Sequence, residues 1–225
     1  PGRHHASSPA QEFTIPGFRM LEEKDIPEVL KLLKEYMKQF AVYPEFTEEE
    51  ARHFFLPRKG VVGSYVVENQ GHVTDFISFF HIQSTVINNP KYDTFTATYC
   101  YYYAAMKTDL NVLFENALIA AKAEGGDVFN ALEILNNAKV FEDLKFARGD
   151  GTLHYYFYNW KLNQIEPSQM GKACLFNHSY AWSERSSEKS LESVGSLFHR
   201  TEPKRRLPFS KLPPSFLPRP NFHGD

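Results

Sequence analysis

Two runs of strand-forming residues, 61–68 and 73–82, are separated only by Asn69, Gln70, Gly71 and His72. A link that short constrains the chain more than any other feature. It can close an antiparallel hairpin, whereas a parallel pair needs a crossover of roughly a dozen residues or more. A third run, TFTATYCYYYAAM at 94–106, follows the Asn88-Asn89-Pro90 turn and is aromatic enough to lie centrally in a sheet. Asp109 then caps a helix running to about Glu124, with Leu113, Ala117, Ala120 and Ala121 facing inward and Gly125-Gly126 stopping it. Residues 128–132 read as a short buried strand.

The remaining elements fall around this block. Residues 13–20 form a first strand. Asp25 and Glu28 have capping-box spacing, with Pro27 in the first turn, and Ile26, Val29, Leu30, Leu33, Met37 and Phe40 share one helical face. Thr47 and Glu50 repeat the box for a shorter helix carrying Ala51, Phe54 and Phe55, which Pro57 ends. A short helix at 137–144 and a last strand at 153–160 complete the order β-α-α-β-β-β-α-β-α-β. Strands joined first by hairpins and then by helices predict an α/β (α+β) fold, a mixed sheet flanked by helices. The order resembles the acetyltransferase-like fold, in which a CoA pyrophosphate sits on a glycine-rich loop before the central helix. Here that junction reads Met106-Lys107-Thr108-Asp109, without glycine, and Asp109 would repel phosphate. The domain is expected to keep the fold without the cofactor site.

Composition bounds the setting. The 225 residues, 42% hydrophobic, suit one domain plus a tail. A net charge of −2 shows no bias toward nucleic acid or membrane surfaces, and no apolar run approaches the roughly 20 residues of a membrane-spanning helix. Cys100 and Cys174 fit reduced thiols in the cytoplasm rather than a disulfide framework. No signal-peptide pattern opens the chain, and its first residue, Pro1, marks a processed or incomplete product. Residues 1–12 lack periodicity and are expected to be disordered or foreign, with His4-His5 on a flexible tail and no metal site. From residue 177 onward serine, proline and basic residues dominate, which predicts a second disordered tail. Within it, Lys204-Arg205-Arg206 is a basic cluster, and residues 212–220 could adopt polyproline II, although a solvated linker explains both.

One stretch invites a functional reading. Residues 145–160, KFARGDGTLHYYFYNW, place the glycine-flanked acid Gly149-Asp150-Gly151 directly before an aromatic strand. Glycine on both sides lets a loop bring main-chain groups and one carboxylate close to a ligand. An ordinary turn feeding a core strand has the same shape, and spacing alone leaves both open.

Read together, three segments resemble the glycylpeptide N-tetradecanoyltransferases, the N-myristoyltransferases. Residues 145–160 resemble the family's K-F-G-x-G-D-G followed by an L-x-Y-Y-x-Y-N strand, and GDVFNAL at 126–132 is similar to the segment before it. VTDFISFFHIQSTVINNP at 73–90, with Leu56-Pro57-Arg58 upstream, resembles the family's T-D-F-x-S-F-Y-x-L-P-S-T-I hairpin. The opening PGFRMLEEKDIP is similar to the start of the family's C-terminal half. The likeness runs from Thr14 to Phe176, so the domain is expected over 13–176, and the N-terminal signature E-I-N-F-L-C-x-H-K is absent.

The resemblance implies an acyltransferase that passes myristate from myristoyl-CoA to the α-amine of an N-terminal glycine. It implies that this part supplies the peptide groove, with Ser84, Tyr99, Asp150, Gly151 and Leu153 binding substrate and Asp150 attracting lysine. Myristoyl-CoA would be a co-substrate held in the N-terminal half, with no tightly bound cofactor and no metal here. The family's base is its own terminal carboxylate, and Leu175 falls nearest that position within Gly171-Lys172-Ala173-Cys174-Leu175-Phe176. Because Phe176 follows, Leu175 carries an amide, and the fragment alone is expected to be inactive. Lys172 stands where the family buries an apolar residue, Gln83 where proline is usual, and Tyr103 where asparagine is usual. Ala147 and Arg148 also depart from the pattern, and Arg148 could partly neutralise Asp150. Expected partners are N-terminal glycine peptides and the N-terminal half of the enzyme, with no nucleic acid, no integral membrane segment, a monomeric state and a cytoplasmic location. Two alternatives remain: a non-catalytic peptide-binding module, and a mis-spliced truncated product, since Gly171-Lys172 can be encoded by a splice-donor-like sequence.

Overall fold

The computed structural model describes residues 12–85, 94–149, 153–156, 163–172, 198–200 and 205–208. Strand β2 (Val62–Asn69) and strand β3 (His72–Thr85) form the expected hairpin, with Asn69 opposite His72. Gln70 and Gly71, between them, both take positive φ, 52° and 79°. That two-residue turn has the twist of the strands it joins, which is why it closes hairpins well. Strand β4 (Thr94–Ala104) pairs antiparallel with β3 from Thr85↔Thr94 to Phe76↔Ala104. Strand β1 (Phe18–Met20) lies antiparallel on the outer edge of β2.

Helix α3 (Leu110–Ala123) then carries the chain back across the sheet, so that strand β5 (Val128–Ala131) pairs parallel to β4. Its ends follow from the sequence. The Asp109 carboxylate accepts from the Asn111 and Val112 N–H groups, and Gly125, just beyond the other end, has φ 92°. Helices α1 (Ile26–Met37) and α2 (Glu48–Phe55) precede the hairpin, and the short helix α4 (Ala138–Phe141) follows β5. The Thr47–Glu50 capping box forms in both directions at the start of α2.

Alternation along β3 sorts the core into two layers. Phe76 packs its ring 5.3 Å from Phe55 of α2, and Phe80 lies on the same face. Phe79, on the opposite face, lies 6.1 Å from Phe129 of β5. Tyr103 packs 5.3 Å from Phe114 of α3. Phe55, Phe76, Phe79, Tyr102, Tyr103, Phe114 and Phe129 are all fully buried. At roughly 150–250 Å² each, such rings dominate the apolar surface that folding removes from water.

Three expectations need correction. Asp25 does not cap α1 with its side chain; its carboxylate takes Arg19 at 2.7 and 2.8 Å and the Glu22 N–H at 2.9 Å. A guanidinium is the stronger partner, and it holds the Asp25 carboxyl below its ordinary value. The Glu28 carboxylate, freed from a box, accepts the Val73 N–H at 2.6 Å and ties α1 to the hairpin. Leu30 is half-buried on the α1 face, and Tyr36 is buried there as well.

The last strand is the second correction. Strand β7 (His154–Tyr156) lies within the expected 153–160 but pairs with strand β8 (Phe198–Arg200) in a separate two-stranded ribbon. The free edge of β5 is paired instead by strand β9 (Arg205–Pro208), which is flanked by strand β6 (Ala147–Arg148). The large sheet therefore runs β1-β2-β3-β4-β5-β9-β6. Both β8 and β9 come from the segment expected to lack strands, which is the third correction. An open edge offers a row of unpaired N–H and C=O groups, and any extended segment within reach can satisfy them whatever its composition. Within residues 177–225, the polyproline-like 212–220 lies outside the described residues, as do 1–11 and the 88–90 turn.

Candidate functional site

The outer half of the β3–β4 hairpin carries two of the expected binding residues on one face. Register pairs Phe80 with Tyr99 and Ser84 with Phe95, so Phe80, Ile82, Ser84, Phe95 and Tyr99 all point to the same side of the sheet. Phe80 and Tyr99 stack at 5.3 Å with planes 12° apart. Past that pair the large side chains come out to solvent, Ile82 38% exposed and Phe95 37% exposed, while the small Ala97 between them stays buried. Ser84, half-buried, lies about 13 Å along the strands from the Phe80–Tyr99 pair, four residues at about 3.3 Å each. An accessible aromatic-aliphatic strip with a hydroxyl near its far end can hold an extended chain and accept or donate to its backbone.

The other expected residues lie toward the end of the domain. Leu153 is half-buried just ahead of β7. Asp150, Gly151 and Leu175 lie outside the described residues. Ahead of Leu175 in sequence, hydrogen bonds hold the chain as far as Lys172. The Ala41 N–H donates to Gln169 O at 2.9 Å, the Gly171 N–H to Val42 O at 2.7 Å, and the Leu135 N–H to Met170 O at 3.0 Å. Tyr155 donates its hydroxyl to Lys172 O at 2.7 Å. Gly171 is required by this close approach: a Cβ there would lie 2.9 Å from Tyr43 Cβ and 3.1 Å from Phe40. Lys172 is half-buried rather than buried, so the expected cost of a fully buried charge does not arise. Tyr103 is a core residue, its hydroxyl accepting from the Asn136 N–H at 3.0 Å, and burial pushes its phenol well above the ordinary value. Gln83 is exposed on the opposite face of β3.

Several polar groups were not singled out by sequence. On the α3 face, His81 Nδ1 lies 2.9 Å from Thr98 Oγ1, and its Nε2 lies 3.3 Å from Glu124. Glu124 also accepts from the Tyr65 hydroxyl at 2.7 Å, and burial beside that carboxylate raises the Tyr65 phenol. Burial likewise raises the Cys100 thiol, which makes it an inert core group rather than a nucleophile. Among the described residues no group of three or more His, Cys, Asp or Glu side chains could hold a metal ion. No helix among them is long and apolar enough to cross a membrane.

The junction ahead of α3 has a sharper explanation than its lack of glycine. Asp75 of β3, fully buried, points its carboxylate into it. One oxygen, Oδ1, accepts the N–H groups of Met106, Lys107 and Thr108 at 2.7, 2.8 and 2.9 Å. The other, Oδ2, accepts from the Thr108 and Thr74 hydroxyls, each at 2.9 Å. Asp109 is engaged at the helix end itself. The donors a phosphate would need are already in use.

Known proteins supply the context for this geometry. The family model described as "Myristoyl-CoA:protein N-myristoyltransferase, C-terminal domain" matches residues 6–178, beginning inside the segment that sequence reading set apart. Glycylpeptide N-tetradecanoyltransferase 1 of Arabidopsis thaliana is 45% identical over 163 residues, covering 71% of this chain and 38% of the plant protein. The probable glycylpeptide N-tetradecanoyltransferase of Caenorhabditis elegans is also 45% identical, over 72% of this chain and 36% of its own length. A crystal structure of Saccharomyces cerevisiae N-myristoyltransferase with bound myristoyl-CoA superposes with a TM-score of 0.59 at 36% identity, covering 63% of this chain and 39% of the yeast chain. The chain thus spans less than two fifths of the length of these curated relatives. Helices on a mixed sheet, with a parallel β4–β5 pair joined through α3, give it the acetyltransferase-like fold of those proteins, and it belongs to the N-myristoyltransferase family, whose C-terminal domain it carries.

Proposed function

We propose that this chain is the peptide-binding part of a glycylpeptide N-tetradecanoyltransferase. The reaction joins the glycine amine nitrogen to the myristoyl carbonyl, breaks the thioester C–S bond and releases CoA thiol. The match to the C-terminal domain of the family carries the reading. The accessible Phe80–Ile82–Phe95 strip, with Ser84 and Tyr99 on it, supports it, because an extended peptide needs such a wall. Asp150, Gly151 and Leu153 complete that wall, with Asp150 facing basic side chains of the substrate. Myristoyl-CoA is bound by the N-terminal half of the enzyme, and the reaction runs in the cytoplasm on a monomer. The 225-residue segment by itself transfers no myristate, since Leu175, followed by Phe176, has no free carboxylate to take the amine proton.

Titrating the isotope-labelled chain with a lysine-containing octapeptide that begins with glycine tests the site. Amide shifts centred on Ser84, Tyr99 and Leu153, weakened at least threefold by Tyr99→Ala, are expected. Shifts confined to other surfaces, or none up to millimolar peptide, would sink the assignment.

A further inference from the structure

We infer that the loop between β4 and α3 is a preformed oxyanion nest whose ligand is the chain's own Asp75 carboxylate, so that this domain carries its anion covalently and takes none from solution there. The observations are independent of the peptide site. Three consecutive main-chain N–H groups, from Met106, Lys107 and Thr108, converge within 2.9 Å on a single carboxylate oxygen. Convergence of successive N–H groups on one point is the mark of an anion site, and in an ordinary turn they diverge. The side chain of Thr108 adds a fourth donor from the loop, to the second oxygen, and Thr74 adds a fifth from β3. Asp75 is completely buried, and among the described residues no basic side chain lies within ion-pair distance of it. A buried carboxylate with no counter-cation is costly unless donors replace its hydration. The nest supplies them, at the amino end of α3 where the helix dipole favours negative charge.

The position of Asp75 explains why it is the occupant. It sits next to the turn end of β3, where Phe76 pairs with Ala104, so the end of β4 and the loop after it pass directly over its side chain. Sequence separation from its three N–H partners is 31, 32 and 33 residues, so the contact also pins α3 to the hairpin. The same donors that would fix a diffusible anion are here used as an internal joint.

The chemical class that fits the emptied nest is a small carboxylate, and formate matches the group removed by Asp75→Ala. Thermal unfolding of the complete 225-residue chain is measured in formate and in chloride at matched ionic strength. Asp75→Ala should lower Tm by about 6–12 °C, and formate should restore several degrees in a saturable way, while leaving the wild type and Asp75→Asn unmoved. Asp75→Asn keeps an acceptor in the nest, and its Tm should fall less than that of the alanine variant. Equal recovery in chloride, or no recovery in a folded alanine variant, overturns the proposal. Should Asp75→Ala not fold, the wild type decides alone. Its Met106, Lys107 and Thr108 amide signals should not move on adding 100-millimolar-scale formate or inorganic phosphate, and a saturable shift there refutes an internally filled nest.

Discussion

Asp25 illustrates how a single residue can satisfy a local rule and then be claimed by a partner outside it. It is 5% exposed at the side chain and meets Arg19, itself 26% exposed, through two nitrogens. Arg19 also reaches Glu68 at 2.7 Å, so β1, β2 and the start of α1 share one guanidinium. The hydrogen bonds from Arg19, and then the Glu22 N–H, lower the Asp25 pKa from its ordinary 3.8. A depressed carboxylate pKa means that the folded state binds protons less readily than the unfolded state. The stabilisation is therefore full above the unfolded value and is lost as pH falls through the folded one. Asp25→Asn should cost about 2 kcal/mol at neutral pH, read as a lower urea midpoint. The gap between variant and wild type should persist to about pH 4 and close below it. A gap independent of pH down to the acid transition would show that the charge on Asp25 is not what matters.

At the scale of elements, α3 is the piece whose ends are most locally determined. Both Asn111 and Val112 N–H groups depend on the Asp109 side chain. Asp109→Ala should therefore destabilise the domain by about 1 kcal/mol, with an unchanged slope in urea, since the exposed surface on unfolding stays the same. Such caps, like the Gln70-Gly71 turn, act over two to four residues and can be read from sequence directly. The shared face of Ser84 and Tyr99, by contrast, comes from the β3–β4 register, which the sequence did not supply; those two residues were named there only through the family resemblance. What sequence could not reveal acts at longer range. An aspartate within the apolar run Val73–Ile82 has no local mark of its role until residues 106–108 fold over it. Similarly, the Leu-His-Tyr-Tyr pattern after Gly151 states that a strand forms but not which edge it joins. Pairing of β9 with β5 depends on proximity that no local pattern encodes. The roles given to Asp150 and Leu175 rest on family resemblance alone, and the physics of a lone glycine-flanked acid leaves either reading standing.

For the whole molecule, the decisive relation is between this domain and the remainder of its family's length. The Arabidopsis relative is covered to 38% of its length, so most of such a protein lies outside the part that this domain matches. On this side, the chain from Gln169 to Lys172, three residues short of Leu175 in sequence, is held by Ala41, Val42, Leu135 and Tyr155. If Leu175 is the position of the base, its chemistry depends on whether a chain ends there. A terminal carboxylate can take the amine proton near neutral pH, whereas the peptide carbonyl of Leu175 followed by Phe176 cannot. The comparison that isolates this step uses two forms of this domain, the 225-residue chain and one ending at Leu175, each mixed with the N-terminal half of a relative. Given myristoyl-CoA and a glycine-starting peptide, the shorter form should transfer myristate at least about 10²-fold faster, the usual contribution of a positioned base. Peptide affinity should be the same for both, since both keep the β3–β4 strip on which the proposed groove rests. Equal turnover by the two forms would remove the base from residue 175, while equal absence of turnover with normal peptide binding would place the catalytic requirement in covalent linkage of the halves.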